Sequence, residues 1–161
     1  MSKIAELGDK TSTDNKIRYK NLPKILGQYL DELNDAEQNL QIKGKSLENA
    51  NKENPSWRYY YNQRLVELNT LVKYFESEIE RVRGKLFRSY SPPNFNLDLS
   101  DRSKEKYIDN EQAYLDINEI YLEVKEVRDS FQAIVDAFQD RGYALNNITK
   151  IRVATLENDL L

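Results

Sequence analysis

The stretch Leu65–Leu86, LVELNTLVKYFESEIERVRGKL, sets Leu65, Leu68, Val72, Phe75, Ile79, Val82 and Leu86 at alternating steps of three and four. That spacing holds one apolar stripe on a single side of an α-helix for three heptads and turns the charged residues outward. Upstream, Asn51–Ser56 with its Asn54-Pro55-Ser56 reads as a turn and N-cap, so the helix is expected from about Trp57. Downstream it runs to about Tyr90, because Ser91-Pro92-Pro93-Asn94 cannot continue a helix.

The same rhythm recurs on both sides. Leu22, Leu26, Tyr29, Leu33, Ala36, Leu40, Leu47 and Ala50 repeat in fours and threes with Lys43 in the one polar slot, which predicts a helix over 22–50 that opens with Pro23 and carries Gly27 and Gly44 inside it. Ile117, Ile120, Val124, Val127, Phe131, Ile134 and Phe138 predict a third long helix over about 110–141, ended by Gly142 in a left-handed conformation. A shorter helix over about 145–156 follows. Between the second and third long helices, Phe95–Ser100 reads as extended or loop, and Ser100 or Asp101 as the cap of a helical turn through Tyr107. Residues 1–21, with the Thr11–Asn15 polar cluster, read as a loosely ordered arm. Five Gly and four Pro in 161 residues are too few for the closely spaced turns of a β-sandwich or barrel. The expected fold class is all-α, with long helices packed as coiled coils. Their stripes are buried either on each other in an antiparallel hairpin or on further copies of the chain.

Composition removes whole classes of chemistry. With no Cys and no His, thiolate nucleophiles, disulfides, imidazole bases and the usual zinc ligand sets are absent. Carboxylate pairs such as Glu76 and Glu80, or Glu119 and Glu123, sit at helical spacing and read as solvated polar face. Gly27 and Gly84 belong to no phosphate-binding motif. No catalytic residue, metal or cofactor is therefore expected, and the chain does not read as an enzyme. Residues 1–20 lack an apolar core of signal-peptide length, and no window has the apolar length of a membrane span.

The net charge of −3 conceals a strong segregation. Arg81–Lys104 carries six cations against two anions, and Glu105–Asp140 three against ten. In Arg81-Val82-Arg83-Gly84-Lys85-Leu86-Phe87-Arg88-Ser89-Tyr90, the stripe residues Val82 and Leu86 turn Arg81, Lys85 and Arg88 onto the solvated face as helical neighbours. Cations beside Phe87, Tyr90 and Phe95 suit single-stranded nucleic acid, whose backbone they would track while bases stack on the rings. Equally, they suit a solvated helix end complementing its dipole. The second aromatic cluster, Trp57-Arg58-Tyr59-Tyr60-Tyr61, reads as core.

One stretch carries a resemblance. From Tyr107-Ile108-Asp109-Asn110-Glu111 through Asp136-Ala137-Phe138-Gln139-Asp140-Arg141-Gly142-Tyr143-Ala144-Leu145 to Ile148 and Arg152, the chain resembles the UvsY recombination mediator proteins of large tailed phages. In that family a long helix ends in an Arg-Gly-aromatic break and a short helix with an Ile and an Arg follows. Trp57-Arg58-Tyr59-Tyr60 is similar to the family's aromatic-rich first helix. Arg83-Gly84-Lys85-Leu86 is similar to its Lys-Ala-Arg-Leu type DNA-contacting stretch, with the cations exchanged and Gly for Ala. The resemblance covers about residues 57–152. It divides the chain into an arm (1–21), an N-terminal helix without a counterpart (22–54) and a mediator-like domain (55–161).

The resemblance implies a ring-like homo-oligomer, a hexamer or heptamer, in the cytoplasm of a phage-infected bacterium. Such a ring binds single-stranded DNA and loads a RecA-like recombinase onto strands covered by single-strand-binding protein. The expected DNA contacts are Arg83 and Lys85, joined by Arg81, Arg88 and Tyr90 through proximity. The row Ile117, Ile120, Val124, Val127, Phe131, Ile134 and Phe138 is expected to hold the ring. The rival expectation is a non-enzymatic coiled-coil structural or adaptor protein of phage assembly, in which the basic patch is only a solvated helix end.

Overall fold

A computed structural model describes residues 7–8, 19–90 and 100–158. Among these the chain is all-helical: α1 (Leu22–Leu40), α2 (Leu47–Ser89), α3 (Asp101–Ile108) and α4 (Gln112–Asn158). They form two compact units, one of residues 1–26 and 67–127, the other of residues 27–66 and 128–161. The units therefore do not follow a boundary at residue 54, and α1, α2 and α4 each supply a segment to both.

Burial follows the heptad. On α2, Asn54, Tyr61, Leu68, Phe75 and Val82 are buried at steps of seven. On α4, Ile117, Val124, Phe131, Phe138 and Leu145 repeat that spacing, and all five are 0% exposed. In the first unit Tyr121 meets Glu76 while Arg83 meets Asp109, so partners on the later segment descend as those on α2 rise. The second unit shows the same antiparallel order, with Asn54 meeting Arg141 while Tyr61 meets Phe138 at 5.3 Å and Phe131 at 6.1 Å. Phe131 closes this core, its ring 5.7 Å from that of Tyr29 on α1. Each such side chain contributes on the order of 1.5–3 kcal/mol by leaving water. The row expected to hold an oligomer is thus the chain's own core: Ile117, Val124, Val127, Phe131 and Phe138 are buried, and Ile120 and Ile134 half-buried.

Three boundaries differ from the sequence expectation. The first helix stops at Leu40, not Ala50, because Gly44 adopts φ +84° in the connection. Only glycine takes that conformation without strain. Ser46 then caps the next helix, its Oγ accepting from the Asn49 N–H at 3.2 Å, so α2 begins ten residues before Trp57 and runs through Pro55. What holds Asn51–Ser56 helical is tertiary. Asn54 donates to the Phe138 carbonyl (3.1 Å) and accepts from Arg141 Nη1 (2.9 Å), a buried pairing that outweighs the one backbone hydrogen bond Pro55 forfeits.

At the third boundary α4 does not end at Gly142; the expected tail helix is its continuation to Asn158. Gly142 has no positive φ, and its role is spatial, since a Cβ there would meet Asn54 Nδ2 at 3.0 Å. Gly84 is exposed, with nothing within 4 Å of such a Cβ. Gly84→Ala is therefore expected to stabilise the chain by about 1 kcal/mol through helix propensity. Gly142→Ala is expected to cost about 1 kcal/mol net, because the displaced amide loses buried hydrogen bonds. Urea titrations followed by circular dichroism measure both; a stabilising Gly142→Ala would show that the amide gives way freely.

The N-terminal region is ordered earlier than Leu22. Tyr19 is buried, its ring edge-on to Phe75 at 5.1 Å and its hydroxyl donating to Glu78 at 3.0 Å. Burial, with the Glu78 charge beside it, pushes the phenol well above its ordinary pKa. Leu7 is buried, and its carbonyl accepts from the Asn21 N–H. Most of the expected arm (1–6 and 9–18) and the expected loop Phe95–Leu99 lie outside the described residues.

Candidate nucleic-acid interface

The last turns of α2 and the short helix α3 build the basic end of the first unit. Ser100 caps α3 as its sequence suggested, its side chain accepting from the Ser103 N–H at 3.3 Å. Ile108 anchors the helix in the core. Lys104 Nζ lies 5.1 Å from the Phe87 ring centre, and Tyr107 stacks on Tyr90 at 5.8 Å. Lys104 and Tyr107 thus turn toward α2, which leaves Arg102 and Lys106, one helical turn apart, exposed.

The structure separates the five residues nominated from sequence. Arg81 binds Glu78 through Nε (3.1 Å) and Nη2 (2.8 Å), and Glu78 is itself buried under Tyr19. Arg83 donates to Asp109 at 2.9 Å and lies 5.2 Å from the Tyr114 ring centre. Tyr90 donates to Glu111, a bond that raises the phenol pKa and keeps it protonated. Lys85 and Arg88 are exposed, with no side-chain partner among the described residues. Arg81 and Arg83 are thus half-buried and paired with the chain's own carboxylates, and the exposed cations of this end are Lys85 and Arg88 on α2 with Arg102 and Lys106 on α3.

Sequence reading missed Arg102 and Lys106, although the signal was legible. A cap at Ser100 fixes the helical phase, and the two cations stand four apart within it. Tyr107 supplies the exposed ring of this end, at 54% exposure, against Tyr90 behind it. Four exposed cations without a side-chain partner among the described residues can neutralise phosphates, and the exposed Tyr107 ring can offer a face to a base. Phe95 lies outside the described residues.

The other aromatic cluster is core only in part. Tyr61 is buried, Trp57 and Tyr60 half-buried, and Tyr59 exposed. Arg64 is held by Glu32 at 2.8 Å and by the Tyr60 ring, and Arg58 by Gln139 at 2.7 Å. Among the described residues, no group of carboxylates is placed to hold a metal ion, and no helix is long and apolar enough to cross a membrane. Comparison of the chain with protein-family models, curated proteins and solved structures finds no match.

Proposed function

We propose that the protein is a UvsY-like recombination mediator. It binds single-stranded DNA at the basic end of the first unit and promotes loading of a RecA-like recombinase onto strands coated with single-strand-binding protein. The observation that carries the reading is the set of exposed cations at this end, Lys85 and Arg88 on α2 with Arg102 and Lys106 on α3, which have no side-chain partner among the described residues, on two helices joined by the Tyr90–Tyr107 stack. One such site holds DNA weakly; repetition around a homo-oligomeric ring supplies affinity through effective concentration.

The ring needs a surface other than the buried α4 row. The C-terminal turns of α4 offer one, because Ile148, Ile151, Val153 and Leu156 are all exposed apolar residues within nine positions. Apolar surface of this density is the ordinary mark of a protein contact. Ile151→Asp with Leu156→Asp is expected to dissociate the assembly to monomers in sedimentation velocity and leave the helical circular-dichroism signal unchanged. An unaltered sedimentation coefficient would place the contact elsewhere.

The test of DNA binding is fluorescence anisotropy of a labelled single-stranded oligonucleotide at low and high salt, competed with duplex. Binding that falls steeply with salt and prefers single strands is expected. The engagement of Arg81 and Arg83 with the chain's own carboxylates favours a second reading, a structural or adaptor protein with a solvated basic end. Absence of binding at low salt by the assembled protein would select it.

A further inference from the structure

In the second unit, Asn54 and Arg58 on α2 face Gln139, Gly142, Tyr143 and Asn146 on α4 across a pocket of about 290 Å³. Helical spacing puts each set on one side of its own helix, so the pocket is a gap between two facing rows. It opens beside Gly142, where a Cβ would meet Asn54 Nδ2 at 3.0 Å. No Asp or Glu lines it among the described residues. Arg58 donates to Gln139 Oε1 at 2.7 Å, which leaves the amide's N–H groups as its free edge. Tyr143 and Asn146 are exposed and have no side-chain partner among the described residues. The Asn54 amide is already engaged, donating to the Phe138 carbonyl and accepting from Arg141. The groups the pocket offers are thus a guanidinium, two amides and a phenol, all able to donate and none negatively charged.

A second observation points the same way. Arg141, which Asn54 links to the pocket wall, is 6% exposed, and its Nη1 reaches only neutral oxygens, Asn54 Oδ1 at 2.9 Å and the Ala50 carbonyl at 3.3 Å. Its Nε and Nη2 are buried without a hydrogen-bond partner among the described residues. Burial lowers its pKa against the opposing charge of Glu53, a carboxylate itself bound by Lys45 at 2.5 Å. A guanidinium keeps its charge even so, and in a low-dielectric interior that charge acts over a longer range than in water. Donors at the pocket and an unbalanced positive charge beside it are together complementary to an anion. Because the donors approach from two facing helices, they suit a tetrahedral oxyanion better than a flat carboxylate. We infer that this pocket binds a phosphate group, held by Arg58, Gln139, Tyr143 and Asn146. The inference does not rest on the mediator reading, since Lys85, Arg88, Arg102 and Lys106 belong to the other unit.

The test titrates the full chain into inorganic phosphate and into thymidine monophosphate at constant ionic strength, reading binding from the broadening of the phosphorus NMR signal. Both probes are expected to bind, with sulfate competing and acetate competing about tenfold less well. Arg58→Gln and Asn146→Asp, at exposed positions, should each weaken phosphate binding about tenfold and leave the helical circular-dichroism signal unchanged. Lys85→Gln with Arg88→Gln should leave it as it was. Absent broadening would overturn the inference, and so would broadening that survives the Arg58 and Asn146 variants but is lost with the Lys85 and Arg88 pair. Acetate competing as well as sulfate would also overturn it, by reducing the pocket to a site for any anion. Anisotropy with a single-stranded oligonucleotide then separates the sources of the phosphate. An equal fall in strand affinity in the Arg58 and Asn146 variants would give the strand's own phosphates as the ligand. Unchanged strand affinity, with phosphate binding lost, would give a free or monoester phosphate.

Discussion

Charge reversal at Lys85 and Arg88 together is expected to lower single-stranded DNA affinity about 30- to 100-fold at low salt, roughly 2–3 kcal/mol. Both side chains are exposed and unpaired among the described residues, so reversal removes two phosphate contacts and adds repulsion with no intrachain partner to compensate. The salt dependence should flatten as well, by about 0.7 in log–log slope for each lost contact on a single strand. Arg83→Ala is the informative control. Its guanidinium is held by Asp109 and the Tyr114 ring, so the variant should change DNA affinity less than about threefold. It should cost stability of about 1 kcal/mol, the combined size of a partly exposed ion pair and a cation–π contact. Anisotropy titrations at several salt concentrations check both variants. An equally large loss of affinity on Arg83→Ala would show that its internal bonds open for DNA and return the contact to the residues the UvsY resemblance points to.

The largest stability effect is expected at Phe131. Its ring is 0% exposed and packs against Tyr29 and Tyr61, at 5.7 Å and 6.1 Å. Truncation to Ala removes the transfer term and leaves a cavity among aromatic walls that cannot collapse into it, costing about 3–5 kcal/mol. That is a large share of the 5–15 kcal/mol typical of a folded chain. The difference between native and variant in urea should be the same at protein concentrations tenfold apart, because the row lies inside one chain. A residue holding two chains together would instead give a loss that grows on dilution, with a reduced subunit number in sedimentation.

The helical class was legible in the sequence because apolar steps of three and four recur along both α2 and α4. The same stripes do not say whose stripe they meet. Apolar rows that pair within a chain and between chains look alike until connection and burial are known, which is why Ile117–Phe138 read as an assembly surface. Asn54-Pro55 and Arg141-Gly142 misled for a related reason. As a local signal each says turn or cap, yet the four residues lie together, and a long-range amide–guanidinium pairing overrides both breaks. At the basic end the type of surface was legible, but not which cations were free. Partners such as Glu78 for Arg81 are near in sequence, while Asp109 for Arg83 lies 26 residues away, across segments whose contact only the fold reveals.

The Asn54–Arg141 layer has a further consequence, for how the long helices find each other. Along the heptad rows every other member is apolar, so a hairpin slipped by seven residues would still bury oil against oil with little penalty. It would, however, face Asn54 with the wrong turn of α4 and strand a guanidinium whose Nη1 in the native pairing reaches both Asn54 and the Ala50 carbonyl. Arg141 Nε and Nη2 are already buried without a hydrogen-bond partner among the described residues, so the slip would take the guanidinium's remaining hydrogen bonds, at about 1.5–3 kcal/mol each. The polar pair therefore acts as a vernier mark on an otherwise repetitive scale, making one alignment of the helices distinguishable from its near neighbours while the chain folds.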